Sequence, residues 1–365
     1  MKSLFKTCLL TLWALSMAGL VVAQPMADLP DDVIEAIAAR VDGGHNVGIV
    51  VGIVTAEGAR YYSYGSTTLS GDQDIDQHTV FEIGSITKVF TALLLADMTQ
   101  RGEVALDDPI ASYLPDSVAV PTRGDQVITL AHLSTHTSGL PKVPTNFAPA
   151  QPWNPYADDT VAQLYDFLAN YTLPREVGAQ YGYSNYGVGL LGHLLARHHG
   201  TSYEALVAER ITGVLGMEET AITLTPALQE RLATGHAGRF AVSNWDFTTL
   251  AGAGALRSTA HDMLRLLAAN MGLETSPLDE AMSLSHQPRV TDGPEGMHVG
   301  LGWHLRTHDH LKTVWHNGGT GGYKSFAGFT SDGHKGVVVL TNSKGSVTDL
   351  GFHLLDPSFP LQKDI

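Results

Sequence analysis

The chain has 365 residues, of which 44% are hydrophobic, and a formal net charge of −15 at pH 7. A chain of this length can bury a sizeable core in one domain or in two closely packed domains. The acidic balance argues against nucleic acid and anionic membrane surfaces as partners, because both repel negative charge.

Residues 1–23 have the pattern of a secretory signal peptide. Lys2 and Lys6 give a positive start, an apolar stretch follows over 9–22, and Ala23 is small enough for a cleavage site. The apolar stretch is short for a membrane span, although an uncleaved anchor is the alternative. We therefore expect export across the inner membrane to the periplasm, no membrane insertion after signal cleavage, and a mature domain over 24–365.

Cleavage at this point removes the only cysteine, Cys8, so the mature chain has no disulfide and no thiolate chemistry. It also removes Lys2 and Lys6 from the 22 basic residues. The mature chain then has 20 basic and 37 acidic residues, a net charge of −17. We expect the fold to be stable by its core alone.

Hydrophobic patterns predict strands at both ends of the mature chain and helices between them. The predicted strands cover 48–55, 60–65, 313–316, 323–330 and 336–341, and the predicted helices cover 86–101, 130–135, 161–170, 186–198, 202–215 and 258–270. This order predicts an α/β (α+β) fold in which one sheet is built from both ends of the chain, with a helical insert at roughly 103–255.

A Ser-x-x-Lys motif, Ser85-Ile86-Thr87-Lys88, lies at the start of the predicted helix 86–101. Residues three apart share one face of a helix, so the Lys88 amine can reach the Ser85 hydroxyl. Serine is a poor nucleophile until a base takes its proton, and a lysine whose pKa is lowered by burial can be that base. The motif favours acyl transfer without a metal or a histidine triad.

A second motif, Tyr183-Ser184-Asn185, precedes the predicted helix 186–198. A tyrosine near a lysine ammonium can have its phenol pKa lowered and can then relay a proton. The asparagine can bond to the lysine or to a substrate amide. The alternative is an aromatic loop in which Ser184 or Asn185 caps the helix.

A third motif, His316-Asn317-Gly318-Gly319 and its glycine-rich continuation to Gly322, follows the last residues of a predicted strand. Glycine allows a backbone to approach a ligand closely, and backbone N–H groups here can face a developing oxyanion. The alternative is a loop between strands whose glycines adopt positive φ.

The three motifs in this order resemble those of the serine β-lactamase and penicillin-binding superfamily, and more narrowly its class C β-lactamase-related branch. That branch also holds D-alanyl-D-alanine carboxypeptidases, D-aminopeptidases and β-lactamase-like esterases. Residues 81–98, 130–141, 183–195 and 250–256 are similar to it too. The resemblance implies a β-lactamase/transpeptidase-like fold: an antiparallel sheet of five or more strands packed with helices, a mostly helical region, and the site in the cleft between.

The resemblance also implies roles for single residues. Ser85 is the nucleophile that forms an acyl-enzyme, and Lys88 shares its proton. Tyr183 is the general base and then the general acid, and Asn185 orients Lys88 and the substrate amide. The backbone N–H groups of Ser85 and Gly319 form the oxyanion hole. No cofactor and no metal are needed.

His316 departs from the family pattern, because class C β-lactamases usually carry lysine at this point. A largely neutral imidazole attracts an anionic substrate less than an ammonium does, although Asn317 can still donate a hydrogen bond. With Gly318 and Gly319, these residues are the expected substrate-binding positions. Histidine here is more similar to carboxypeptidase, aminopeptidase or esterase members.

We therefore expect an extracytoplasmic monomer that hydrolyses a β-lactam or a D-Ala-type peptide amide, so that its partner is a small-molecule or peptidoglycan-derived substrate. Two alternatives share the scaffold. One is a carboxylesterase, and the other is a slow penicillin-binding relative without efficient turnover.

Histidines offer the competing metal sites. His132 and His136 are four apart, but the glutamate of a zinc-protease motif is absent between them. His304, His308 and His310 cluster near the last strands. We expect structural histidines in both places and no metal.

Overall fold

The computed structural model describes residues 29–293, 296–308 and 310–362. The predicted signal peptide, 1–23, lies outside the described residues. None of the helices in these ranges is both long and apolar enough to cross a membrane.

Short helices and strands alternate with long loops along the described chain. The α-helices are α1 (Asp31–Asp42), α2 (Thr87–Gln100), α3 (Leu130–Ser134), α4 (Val161–Asn170), α5 (Asn185–His199), α6 (Tyr203–Val207), α7 (Gly213–Leu215), α8 (Pro226–Glu230), α9 (Ala260–Asn270), α10 (Asp279–Ser285) and α11 (Thr348–Leu355). The strands are β1 (Gly48–Thr55), β2 (Gly58–Gly65), β3 (Phe81–Glu82), β4 (His236–Ala237), β5 (Phe240–Ala241), β6 (Arg257–Ser258), β7 (His298–Val299), β8 (His304–His308), β9 (Leu311–Gly319), β10 (Lys324–Thr330) and β11 (Gly336–Thr341).

One antiparallel sheet of seven strands organises the fold, in the order β2-β1-β11-β10-β9-β8-β7. The first and last long strands lie side by side, and Val51 of β1 pairs with Val339 of β11. The predicted α/β fold with an antiparallel sheet from both chain ends is thus confirmed.

The sheet is covered by helices on both faces, because successive side chains of a strand point to opposite sides. On one face, Ile49 and Val51 belong to a core shared with α1 and α11. On the other face, Val50 belongs to a larger core that includes α2, α5 and α9. Gly52 lets α9 approach closely, since a β-carbon there would lie 3.0 Å from Leu264 Cγ. Burial on both faces explains why β1 is almost wholly apolar.

Helix α2 runs through the larger core. All of its residues from Thr87 to Met98 are buried, including Lys88. A helix that is apolar on most sides is expected in such a position. The same packing holds Lys88 away from water, which decides its chemistry below.

The structure corrects two predicted boundaries. The helix predicted over 202–215 is interrupted by the π-helical turn Ala208–Thr212. The strand predicted over 313–316 runs from Leu311 to Gly319, because its last two glycines pair with β10 and do not form a loop. Helices α1, α8, α10 and α11 and strands β3 to β8 were not predicted.

Candidate active site

Ser85 lies in the 3₁₀ turn Gly84–Ile86, directly before α2. Gly84 has a φ of +52°, and a β-carbon on it would lie 2.6 Å from the backbone nitrogen of Gly319. Both the left-handed φ and the close approach require glycine. As a result, the Ser-x-x-Lys motif and the glycine-rich motif, far apart in sequence, are in contact.

Gly318 makes a second close approach in the same place. A β-carbon on it would overlap the carbonyl oxygen of Ile83. The Ser325 hydroxyl, from β10, donates a hydrogen bond to that same carbonyl at 2.8 Å. Strands β9 and β10 therefore fix the backbone that leads into Ser85.

Lys88 is fully buried, and its amine has two acceptors. Nζ donates to Ser85 Oγ at 3.0 Å and to the carbonyl oxygen of Ala253 at 2.6 Å. Burial, helped by the charge of Lys142, lowers the pKa of Lys88 to about 7. A lysine with this pKa has a large population of neutral amine near pH 7, and it can accept a proton from the serine in contact with it.

The second acceptor of Lys88 is placed by helix packing. Ala253 ends the 3₁₀ turn Ala251–Ala253, which lies against α5. A β-carbon on Gly192 of α5 would be 3.0 Å from Gly252 Cα, and Thr91 Oγ1 of α2 donates to the Gly252 carbonyl at 2.8 Å. The sequence marked this turn only as part of 250–256, a stretch similar to the family, and gave no sign of its contact with Lys88.

Tyr183 lies just before α5, with its ring centroid 5.0 Å from Lys88 Nζ. Burial raises the pKa of Tyr183, while its contact with the Ser85 hydroxyl acts in the opposite direction. The expectation of a lowered phenol pKa is therefore wrong for this structure. Desolvation disfavours the charged forms of Tyr183 and Lys88 alike, so near pH 7 only part of the Lys88 population is an ammonium beside the phenol.

Asn185 is the first residue of α5, and Ser184 caps the helix by accepting from Gly187 N at 2.8 Å. The Asn185 amide donates to Tyr156 Oη at 3.3 Å. The expected bond between Asn185 and Lys88 is not among the hydrogen bonds of the described residues. Within the same residues, the buried Oδ1 of Asn185 has no partner, which leaves it as an acceptor for a substrate N–H.

His316 is buried on β9, with Nδ1 2.6 Å from the carbonyl oxygen of Asn317. A carbonyl only accepts, so Nδ1 carries the proton and Nε2 is an unprotonated acceptor. Burial first, then His304 and Lys88, holds the pKa of His316 well below its ordinary value. His316 therefore supplies no positive charge at the position where the family usually carries lysine.

The Asn317 side chain does not lie where a substrate-binding role was expected. Its amide donates to Thr348 Oγ1 of α11 at 3.2 Å. Neighbouring residues of a strand face opposite sides, so His316 and Asn317 cannot both point into the cleft. Phe326, the residue of β10 that pairs with Asn317, belongs to the core shared with α1 and α11.

Two buried histidines complete the site and were missed as site residues. The ring of His304 stacks on His316, with centroids 4.7 Å apart and planes at 17°. Burial, with Lys88, lowers the pKa of His304 to about 4. The ring of His136 lies 4.5 Å from that of Tyr183. The sequence signals for them were the histidine spacing weighed above as a metal site and, for His136, its place in the family-like stretch 130–141.

The histidines weighed as alternative metal sites make other contacts. His308 Nδ1 lies 2.9 Å from a carboxylate oxygen of Asp356, and His132 Nδ1 accepts from the Thr129 backbone at 3.2 Å. Across the described ranges, no three or more His, Cys, Asp or Glu residues are arranged to hold a metal ion.

Comparison with known proteins agrees with this geometry. A family model described as Beta-lactamase matches residues 33–353. The D-alanyl-D-alanine-carboxypeptidase/endopeptidase AmpH of Escherichia coli (strain K12) is 29% identical over 351 residues, which cover 91% of this chain and 90% of that protein. A β-lactamase of the same organism is 27% identical over 331 residues, covering 81% and 84%.

Solved structures show the same fold. A class C β-lactamase from Rhodobacter sphaeroides superposes with a TM-score of 0.73 at 25% identity, covering 86% of this chain and 94% of that one. A β-lactamase/D-alanine carboxypeptidase from Pseudomonas syringae gives a TM-score of 0.75 at 23% identity, covering 85% and 93%. The family match over most of the chain, with a fold and a buried Ser-x-x-Lys centre that agree with it, shows that the chain belongs to the β-lactamase family of serine hydrolases, in its class C branch.

Proposed function

We propose that this protein is an extracytoplasmic, periplasmic serine hydrolase that cleaves a β-lactam or a D-Ala-type peptide amide through an acyl-enzyme. The observation that carries the proposal is the 3.0 Å contact between Lys88 Nζ and Ser85 Oγ, made by a lysine whose pKa is lowered to about 7. The names of the relatives, a D-Ala-D-Ala carboxypeptidase and β-lactamases, support the substrate class. The signal-peptide pattern of 1–23 supports the location.

In acylation, the Ser85 oxygen attacks the carbonyl carbon of the amide while the neutral Lys88 amine takes the hydroxyl proton. The C–N bond then breaks, and the leaving nitrogen takes a proton from the Tyr183 phenol. Lys88, now an ammonium, returns its proton to Tyr183. The raised pKa of Tyr183 supports this order, because it makes the phenol a donor at the start of the cycle and keeps the phenolate transient.

In deacylation, water attacks the ester carbon of the acyl-enzyme and gives its proton to the Lys88–Tyr183 pair. The bond from the carbonyl carbon to Ser85 Oγ breaks, and the serine oxygen takes the proton back. No cofactor enters either step, and the chain's own groups balance both proton transfers.

The developing oxyanion is assigned to the backbone N–H groups of Ser85 and Gly319. The close approach of Gly84 to Gly319 supports this pairing, since it holds the two segments together without side chains between them. Removal of one oxyanion-hole donor typically costs about 3 kcal/mol of transition-state stabilisation. The unpaired Asn185 Oδ1 is assigned to the substrate amide N–H.

The test is a panel of nitrocefin, an N-acylated D-Ala-D-Ala peptide and p-nitrophenyl butyrate, assayed on the mature protein and on Ser85→Ala. We expect turnover of nitrocefin or the peptide in the wild type and none in the variant, with a penicillin adduct seen by intact mass only in the wild type. Ser283→Ala, an exposed serine of α10, is the matched control. Wild-type turnover by Ser85→Ala would overturn the nucleophile assignment.

A carboxylesterase is the second candidate, and the neutral His316 favours it. A site without a positive charge at this position accepts uncharged esters more readily. A kcat/KM for p-nitrophenyl butyrate well above those for nitrocefin and the peptide would establish it. A penicillin adduct that persists without turnover would instead identify a slow penicillin-binding relative.

A further inference from the structure

Four aromatic side chains from two loops, 142–159 and 242–250, pack together as one aromatic cluster. Tyr156 stacks on Phe247, with ring centroids 4.4 Å apart and planes at 13°. The ring centroids of Trp245 and Phe147 lie 5.5 Å and 5.1 Å from that of Tyr156. Tyr156 is buried, whereas the other three are half-buried. The aromatic cluster therefore keeps part of its ring surface open.

Tyr156 connects the aromatic cluster to the second motif. Its Oη accepts a hydrogen bond from the side-chain amide of Asn185 at 3.3 Å. The Oδ1 of the same amide has no partner among the described residues and is assigned above to a substrate N–H. Because both atoms belong to one amide group, a substrate bound at Oδ1 has the aromatic cluster as its neighbour.

The other rings contact two further parts of the site. Gly254 follows the residue whose carbonyl accepts from Lys88, and a β-carbon on Gly254 would lie 3.0 Å from Phe247 Cζ. Gly321 belongs to the glycine-rich motif, and a β-carbon there would lie 2.8 Å from Trp245 Nε1. The aromatic cluster thus borders the site on the sides of all three motifs.

The backbone of Trp245 is fixed by a buried pair of opposite charges. Its N–H donates to Glu82 Oε1 at 2.8 Å, and its carbonyl accepts from Arg257 Nη2 at 3.1 Å. These two residues pair across β3 and β6, and β3 leads into the serine-bearing turn. Asn154 and Asp246 also join the two loops through reciprocal hydrogen bonds of 2.8 and 2.9 Å. The rings are therefore held in place before a substrate binds.

Aromatic side chains bind a ring through buried apolar area and through the preferred geometry of ring pairs. We propose that the aromatic cluster binds an aromatic ring on the N-acyl group of the substrate, next to the N–H received by Asn185, and that Trp245 determines this specificity. This inference rests on the proposed function and specifies its substrate: an acyl donor with an arylacyl group on that nitrogen, in preference to the same donor with a small acyl group.

The experiment compares matched pairs that differ only in the ring. One pair is benzylpenicillin and its analogue with an acetyl group in place of phenylacetyl, and the other is N-phenylacetyl- and N-acetyl-D-Ala-D-Ala. Each compound keeps the N–H and the carboxylate. Ser85 acylation is followed by intact mass and peptide turnover by release of D-Ala. For the wild type we expect a rate constant at least about tenfold higher for the phenylacetyl member of each pair.

Trp245→Leu should lose about tenfold on the phenylacetyl compounds and stay within about twofold on the acetyl compounds, while Trp245→Phe should keep most of the preference. Tyr64→Leu, at an exposed aromatic side chain of the edge strand β2, should change neither. A wild type without preference, or an equal loss of Trp245→Leu on both members of a pair, would overturn the inference while Ser85 acylation still stands. Absence of acylation by every compound would instead reject the proposed function, and this inference with it.

Discussion

Gly84 and Gly319 lie in contact, although one precedes the first helix of the site and the other ends a strand near the other terminus. A β-carbon on Gly84 would stand 2.6 Å from the Gly319 nitrogen. The contact joins the serine-bearing turn to the strand that carries the second oxyanion donor. The geometry of the proposed oxyanion hole therefore depends on the absence of a single carbon atom.

Gly84→Ala should lose both activity and stability. The left-handed φ costs an L-residue about 1–2 kcal/mol, and the new carbon must push Gly319 away, for which a 1 Å displacement can cost about 100-fold in rate. Urea unfolding and nitrocefin hydrolysis measure the two effects. Gly102→Ala is the matched control, because Gly102 has a φ of +70° but nothing within 4 Å of its β-carbon position. The control Gly102→Ala should lose stability but keep its activity. An equal loss of activity in Gly84→Ala and Gly102→Ala would contradict the prediction.

The pH dependence of acylation should follow the titration of the Lys88 amine. Its pKa is lowered to about 7 and the neutral amine is the reactive form, so kcat/KM should rise with pH, reach a plateau above pH 7, and stand about 30-fold lower at pH 5.5. Lys88→Arg, which stays charged, should be about 10³-fold slower than the wild type on the plateau, and its kcat/KM should not rise with pH. Activity lost at pH 5.5 should return at pH 8, which separates titration from unfolding. A flat profile between pH 5.5 and 8.5 would be incompatible with Lys88 as the base.

His304 should make the fold sensitive to acid. Its pKa falls from 6.5 to about 4 on folding, so between these values the unfolded chain binds a proton that the folded protein does not. Stability then rises with pH across this window and is lost as pH falls through it, by about 3 kcal/mol for this one group.

Urea unfolding at several pH values, on the wild type and on His304→Phe, checks this. The phenyl ring keeps the stack on His316 and cannot take a proton, so the variant should lose less stability between pH 6.5 and pH 4. His334→Gln, a control whose side chain is 84% exposed, should follow the wild type. Parallel curves for His304→Phe and the wild type would refute the assignment.

Changing Asn185 to alanine should mainly lower the rate, whereas changing Asn317 to alanine should mainly lower the stability. The Oδ1 of Asn185 has no partner among the described residues, whereas the Asn317 amide is bonded to Thr348 on the far side of the sheet. We expect Asn185→Ala to lower kcat/KM by about tenfold or more, and Asn317→Ala to lower stability by about 1 kcal/mol with little change in rate.

Thr348→Val is the matched control for Asn317, since it breaks the same hydrogen bond from the other side. It should reproduce the stability loss of Asn317→Ala and leave nitrocefin turnover unchanged. A large loss of rate in Asn317→Ala but not in Thr348→Val would restore Asn317 to the substrate site.

Local pattern was sufficient for much of the fold. The strand Gly48–Thr55 and the helix Val161–Asn170 were predicted with the bounds that the structure has, because apolar periodicity and capping act within a few residues. The local pattern did not predict the structure of the glycine-rich motif. Its first glycines extend a strand, and pairing with β10, which is a tertiary contact, decides that.

By itself, the sequence determined the Ser85–Lys88 pair, since helical spacing alone brings residues three apart together, and it determined the family through the order of the motifs. Only the tertiary structure decided the electrostatics of the site. Lys88 bonds to Ala253, 165 residues away, and His316 stacks on His304. Desolvation sums over all packed neighbours, near and far in sequence. For that reason the pKa of Tyr183 is raised, where the expected nearness of a lysine ammonium had predicted a lowered value.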